Sequence, residues 1–183
     1  MSERFYELEV AGCRRKLFIM NITDKVAIAG FILLGDVELT ENCAAELAKK
    51  IPAETEIILT AETKGIPLAA SLARILGMKN YIVARKSMKA YMKNPLWVED
   101  ESITTLGKQK LGLSDFDVEK IRGKKVLILD DVISTGGSLK AMETLVEKAG
   151  GKVIGKAAVL AEGDAAKRKD IIFLKELPLF EAE

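Results

Sequence analysis

The stretch KKVLILDDVISTGGSLKAMETLVEKAGG, from Lys124 to Gly151, decides the fold. Its VLIL run has no polar face, the mark of a strand covered on both sides. Asp130 and Asp131 end the run, small residues follow, and an amphipathic segment takes over at Ser138. Neighbours in a strand point to opposite faces, so two adjacent acids serve one ligand only where the backbone turns. VISTGGS supplies a turn, because its glycines permit positive φ and let the main chain approach a bound group. The helix start beyond it offers free N–H groups and the positive end of a dipole. The stretch therefore reads as an anion cradle, with hydroxyls from Ser134, Thr135 and Ser138 and open backbone at Gly136 and Gly137. Carboxylates repel phosphate, so the acid pair must address sugar hydroxyls, a divalent cation, or both. A phosphorylated ribose fits that combination.

Strand and helix patterns alternate on both sides of this stretch. FYELEVAGCRRKLFIM alternates about Gly12 and predicts an antiparallel hairpin. Thr40 is a suitable N-cap for ENCAAELAKKI, whose Ala44, Leu47, Ala48 and Ile51 share a face, and Pro52 stops it. EIILT reads as a buried strand. Pro67 fits a first helical turn, followed by Leu68, Leu72, Ile75 and Leu76 inward and Gly77 at the C-cap. YIVA, KVIGKAAVLAE and DIIFL complete the strands. This rhythm predicts an α/β fold with a mainly parallel sheet. Between Arg85 and Arg122 the pattern dissolves into a long polar connection of the kind kept for function, with ESITTL supplying one strand of a flap. A single domain over residues 1–183 is expected, with a hairpin or hood element at 1–35 and a mobile lid at 85–122.

Bulk properties exclude several classes. The 183 residues are 49% hydrophobic and carry a formal net charge of +1, so overall basicity does not hold nucleic acid. There is no histidine, which removes the commonest general base and metal ligand. Cys13 and Cys43 match no zinc or redox spacing and read as reduced thiols. MSERFYELEV is unlike a signal peptide, and VAIAGFILLG is about half the roughly 20 residues of a membrane span, so a soluble cytoplasmic protein is expected. GGKVIGKA nearly spells a P-loop, but it lacks the metal-binding hydroxyl and runs from helix to strand.

VLILDDVISTGGSL resembles the ribose-5-phosphate-binding signature of the type I phosphoribosyltransferases. AETKGIPLA resembles that family's pyrophosphate loop, which brings in Lys64 and Gly65. ARKSMKAY resembles the Arg-Lys-x-x-Lys stretch opening the mobile hood of its adenine and orotate members, which brings in Arg85, Lys86 and Lys89. The adenine and related purine enzymes are nearest in length and layout. The resemblance implies a Rossmann-like, mainly parallel sheet flanked by helices, with a small hood and a flexible lid loop. It implies transfer of ribose 5-phosphate from phosphoribosyl pyrophosphate to a purine base, adenine first, with release of pyrophosphate. Asp130 and Asp131 would hold the ribose hydroxyls and steady Mg²⁺ indirectly; Ser134, Thr135, Gly136, Gly137 and Ser138 would take the 5-phosphate. Asp130, Asp131, Lys89 and Ser134 form the expected catalytic set. A homodimer without a DNA-binding domain or membrane attachment is implied as well.

Ser134 stands where hypoxanthine-guanine enzymes carry an aspartate near N7 of the base, and serine is a poor proton acceptor. The adenine enzymes carry a small residue there. Glu99, Asp100 and Glu101 are the lid's candidate general bases, and LPLF (177–180) or the hairpin could stack on a ring. A regulatory donor-binding protein of the same fold, or an orotate or xanthine enzyme, are the alternatives.

Overall fold

The alternating N-terminal residues form β1 (Phe5–Val10) and β2 (Cys13–Asn21), an antiparallel hairpin whose turn passes through positive φ at Ala11 and Gly12. In the computed structural model, which describes residues 4–100 and 109–183, one face of this hairpin buries Leu8, Val10, Cys13, Leu17 and Ile19. β3 (Val26–Ala29) pairs with β2. α1 (Val37–Ala48) follows, capped by Asp36 and not by Thr40. The Asp36 carboxylate accepts from the Leu39 N–H at 3.1 Å and is held by Arg15 Nε at 2.6 Å. Thr40 lies a turn further on, buried, its hydroxyl donating to the Asp36 carbonyl at 2.7 Å. An acid at the helix start, fixed by an arginine and favoured by the dipole, outcompetes the later threonine.

β4 (Ile57–Ala61) is buried throughout, and α2 (Ile66–Ile75) starts with Pro67 in its first turn. Leu68 and Leu72 face inward as expected. Ile75 and Leu76 do not: they are 40% and 36% exposed at the end of the helix. β5 (Ile82–Ala84) comes next.

The described parts of the segment from Arg85 to Arg122 hold more regular structure than the sequence suggests. β6 (Leu96–Asp100) and β7 (Gln109–Leu113) pair antiparallel, and α3 (Asp115–Ile121) follows under a Ser114 cap. Charged residues alternate with Val98, Leu111 and Leu113, so the strand signal hides in a polar run although those three side chains are buried. The expected flap strand ESITTL lies outside the described residues.

β8 (Lys125–Ile133), α4 (Gly137–Lys148), β9 (Lys152–Glu162), β10 (Ile172–Leu177) and β11 (Phe180–Glu181) complete the chain. Five strands make a parallel sheet in the order β10-β9-β8-β4-β5. A second sheet, β1-β2-β3-β11, joins the N-terminal hairpin to the last strand. One core lies between this second sheet, α1, α2 and the parallel sheet; the other lies under α4 and the β6–β7 hairpin. No described helix is long and apolar enough to cross a membrane.

Candidate functional site

β8 pairs with β4 only from Val126 to Ile128, but stays with β9 as far as Ile133. The two strands therefore part just before the aspartates, and a crevice opens between β8 and the chain leaving β4. Asp131 is 4% exposed; Asp130 is half-buried. The Asp131 N–H donates to Asp130 Oδ1 at 2.9 Å. From the other wall, Lys64 Nζ stands 2.9 Å from Asp131 Oδ2. That contact is an ion pair without hydrogen-bond alignment, and Asp131 Oδ2 remains a buried acceptor with no hydrogen bond. Burial, and then the neighbouring Asp131 charge, push the Asp130 carboxyl well above the ordinary aspartate value.

Gly65 has an ordinary φ of −74°, so space and not conformation requires glycine there. A Cβ would lie 2.3 Å from Thr60 Oγ1 and 3.5 Å from Asp130 Oδ1. Thr60 Oγ1 is itself buried without a hydrogen-bond partner. Lys64, Gly65, Thr60 and the acid pair thus converge on one crevice.

The residues after β8 turn as the sequence requires. Gly136 adopts φ +86° as the N-cap of α4, and no side chain caps that helix. Thr135 is exposed, while Ser134, Gly137 and Ser138 are half-buried around it. A Cβ at Gly136 would lie 2.9 Å from Arg168 Nη1. Arg168 is held by Asp170 through Nε at 2.9 Å and Nη2 at 2.7 Å, so its third nitrogen is presented to the turn. In the sequence it stands in a small basic cluster with nothing to tie it to this turn.

Arg85, Lys86 and Lys89 gather around one acid that sequence reasoning left unassigned. Glu62 Oε1 accepts from Arg85 Nη1 at 2.7 Å, and Oε2 from the Lys86 N–H at 2.8 Å. Lys89 Nζ lies 3.9 Å from Glu62 and donates to Ser87 Oγ at 2.9 Å. Burial would raise the Glu62 carboxyl, but the Lys86 N–H and the Arg85 guanidinium outweigh it and hold it below the usual range. Arg85 also exchanges two backbone hydrogen bonds with Gly112, each 2.8 Å. That ties the β6–β7 hairpin to the end of β5. A Cβ on Gly112 would fall 2.4 Å from the Trp97 ring, so the tryptophan lies flat on its backbone.

Among the proposed bases, Glu99 is exposed on β6, and the Asp100 side chain and Glu101 lie outside the described residues. Among the described residues no group of three or more acids or cysteines could cage a metal. A polar groove of about 440 Å³ lined by Glu143, Lys156 and Asp170 sits at the starting half of β9, away from the aspartates. The chemistry stays at the carboxyl ends of the strands, where open α/β sheets bind their ligands.

Known proteins share this layout. Residues 37–180 match the family model of the phosphoribosyl transferase domain. The hypoxanthine/guanine phosphoribosyltransferase of Methanococcus voltae is 35% identical over 155 residues, 84% of this chain and 75% of that protein. The adenine phosphoribosyltransferase of Thermotoga maritima is 36% identical over 104 residues, 57% of each chain. Among solved structures, the adenine phosphoribosyltransferase of Thermoanaerobacter pseudethanolicus superposes with a TM-score of 0.65 at 26% identity, covering 79% of this chain and 84% of that one.

Proposed function

Because the chain belongs to the phosphoribosyl transferase family, we propose that it moves ribose 5-phosphate from phosphoribosyl pyrophosphate onto a purine base, adenine first, and releases pyrophosphate. The observation that carries this reading is the crevice where β8 leaves β4, with the acid pair on one wall and Lys64 on the other. Asp130 and Asp131 hold the ribose hydroxyls. The turn from Ser134 to Ser138 takes the 5-phosphate on its N–H groups and hydroxyls. Lys64 and the backbone at Gly65, with Arg85, Lys86 and Lys89, neutralise the departing pyrophosphate. Holding donor and base in line and stabilising the leaving charge is most of the catalysis such a displacement needs. Ser134 and Lys89 act by position, one at the sugar phosphate and one under the cover.

The buried Asp131 Oδ2, paired with the Lys64 charge but without a hydrogen bond, suits a hydrated cation beside the sugar. With no protein cage among the described residues, Mg²⁺ would be held chiefly by donor oxygens and water, and it would supply charge neutralisation at the pyrophosphate. The 85–122 segment, anchored at Arg85–Gly112, covers the site and excludes water. The chain works as one domain, with 1–35 as its hood, in a cytoplasmic homodimer. The buried free thiols Cys13 and Cys43 accord with a reducing compartment.

A hypoxanthine/guanine reading stands second, favoured by relatives of that kind that align over more of the chain than the adenine relatives do. Incubation with Mg²⁺, phosphoribosyl pyrophosphate and each common base in turn decides between them. AMP from adenine is the expected product; IMP or GMP alone selects the second reading. Donor binding without any nucleotide would mark a regulatory protein. Asp131→Asn and Lys64→Ala should each cut turnover by about 100-fold while the circular dichroism spectrum persists.

A further inference from the structure

Strand order tells where the base must arrive. On the reading above, the sugar sits at the end of β8 and the pyrophosphate leaves toward β4 and β5. An in-line displacement brings the incoming ring nitrogen from the opposite side. In the order β10-β9-β8-β4-β5, that side is the end of β9 and β10.

Glu162 is the last residue of β9. Its neighbour Ala161 is buried in the core under α4, so strand alternation turns Glu162 toward the side of the N-terminal sheet. Ala161 pairs with Ile133, which places Glu162 level with Ser134 at the start of the turn. The Glu162 carboxyl is half-buried and makes no hydrogen bond or ion pair to any described residue; the charge it feels is that of Lys64, across the same crevice. Burial pushes it above the ordinary glutamate value. Beside it the chain turns through Gly163 at φ +58°, where a Cβ would lie 2.9 Å from Leu179 Cδ1. Leu179, half exposed, comes from the connection between β10 and β11. One acceptor without a donor thus stands beside one apolar surface, matching the edge and the face of a ring.

We propose that Glu162 is a specificity-determining residue that accepts hydrogen bonds from N–H groups of the incoming base and so selects an aminopurine. A carboxylate only accepts. The exocyclic 6-amine of adenine or the 2-amine of guanine satisfies it; hypoxanthine has neither amine, and its carbonyl turned to the same place opposes it. A site built to receive a hydrogen bond rejects the analogue that cannot give it, because the buried group is left unpaired.

This inference rests on the transferase reading, and the experiment separates the two. kcat/KM is measured for adenine, guanine and hypoxanthine in the wild type, Glu162→Ala and Glu162→Gln. The wild type should prefer an aminopurine. Glu162→Ala should lower kcat/KM for that base by about 10- to 100-fold. It should leave hypoxanthine within about threefold and the KM for the donor unchanged, since the lost contact is to the base edge alone. Glu162→Gln, which keeps one acceptor oxygen, should fall between, and it carries the test if the alanine variant fails to fold. Equal losses on all bases, no loss on any, or a wild type that prefers hypoxanthine would overturn the role of Glu162 and leave the transferase reading standing. A wild type that makes no nucleotide from any purine would overturn both.

Discussion

At the scale of single residues, the Asp130 carboxyl adds a pH dependence of its own to the ligand-free protein. Raised in the folded state by burial and by Asp131, it binds more protons there than in the unfolded chain. Stability therefore falls as pH rises from the ordinary aspartate value, 3.8, toward the folded one. Asp170 runs the other way: Arg168 and Lys156 depress its carboxyl, so its contribution is complete above 3.8 and lost in stronger acid. Asp130→Asn should accordingly raise the melting temperature at pH 8 and flatten its decline with pH, while turnover drops by about 100-fold. A lower melting temperature at pH 8 would show that the pair is not strained by its charges. Asp130, Asp131 and Lys64 could be named from the sequence because motif order places them. Glu62 and Arg168 could not, since each acts through partners distant in sequence: Arg85 lies 23 positions from Glu62.

At the scale of elements, the loop between β4 and α2 is shaped by what it must clear. Gly65 approaches the Thr60 hydroxyl too closely for a methyl group. Gly65→Ala should weaken pyrophosphate binding by about tenfold and destabilise the fold by roughly 1–3 kcal/mol, as overpacking does. Adding Thr60→Ala removes the atom it strikes, and the double variant should recover much of the pyrophosphate affinity, a coupling that titration calorimetry on the four proteins reads directly. Strictly additive losses would place the clash elsewhere. The buried strands were legible because unbroken apolar runs admit few other readings. The β6–β7 hairpin was not, because its inward residues alternate with charges and its identity depends on Trp97 lying over Gly112.

At the scale of the whole molecule, a donor that binds only the folded state shifts the entire unfolding equilibrium. At 100 times its Kd, phosphoribosyl pyrophosphate with Mg²⁺ should add about 2.7 kcal/mol. For a chain of 183 residues that is a rise of roughly 5–11 °C in Tm by scanning calorimetry. Lys64→Ala should lose most of this rise, and an unchanged Tm in the wild type would argue that no such donor is held.

The sequence by itself determined the strands and helices that alternate on either side of the 85–122 segment, that the sheet is mainly parallel, and that an acid pair and a glycine turn lead into a helix start. These follow from local physics: side-chain period, the φ freedom of glycine and the orphan N–H groups of a helix start. Tertiary structure alone decided that β8 leaves β4 just before its aspartates, that Glu62 collects Arg85, Lys89 and the Lys86 N–H, and that the last strand closes onto β3 of the N-terminal sheet. Each of these depends on which strands lie side by side, and that is chosen by burial summed over two cores and not by any short run of residues.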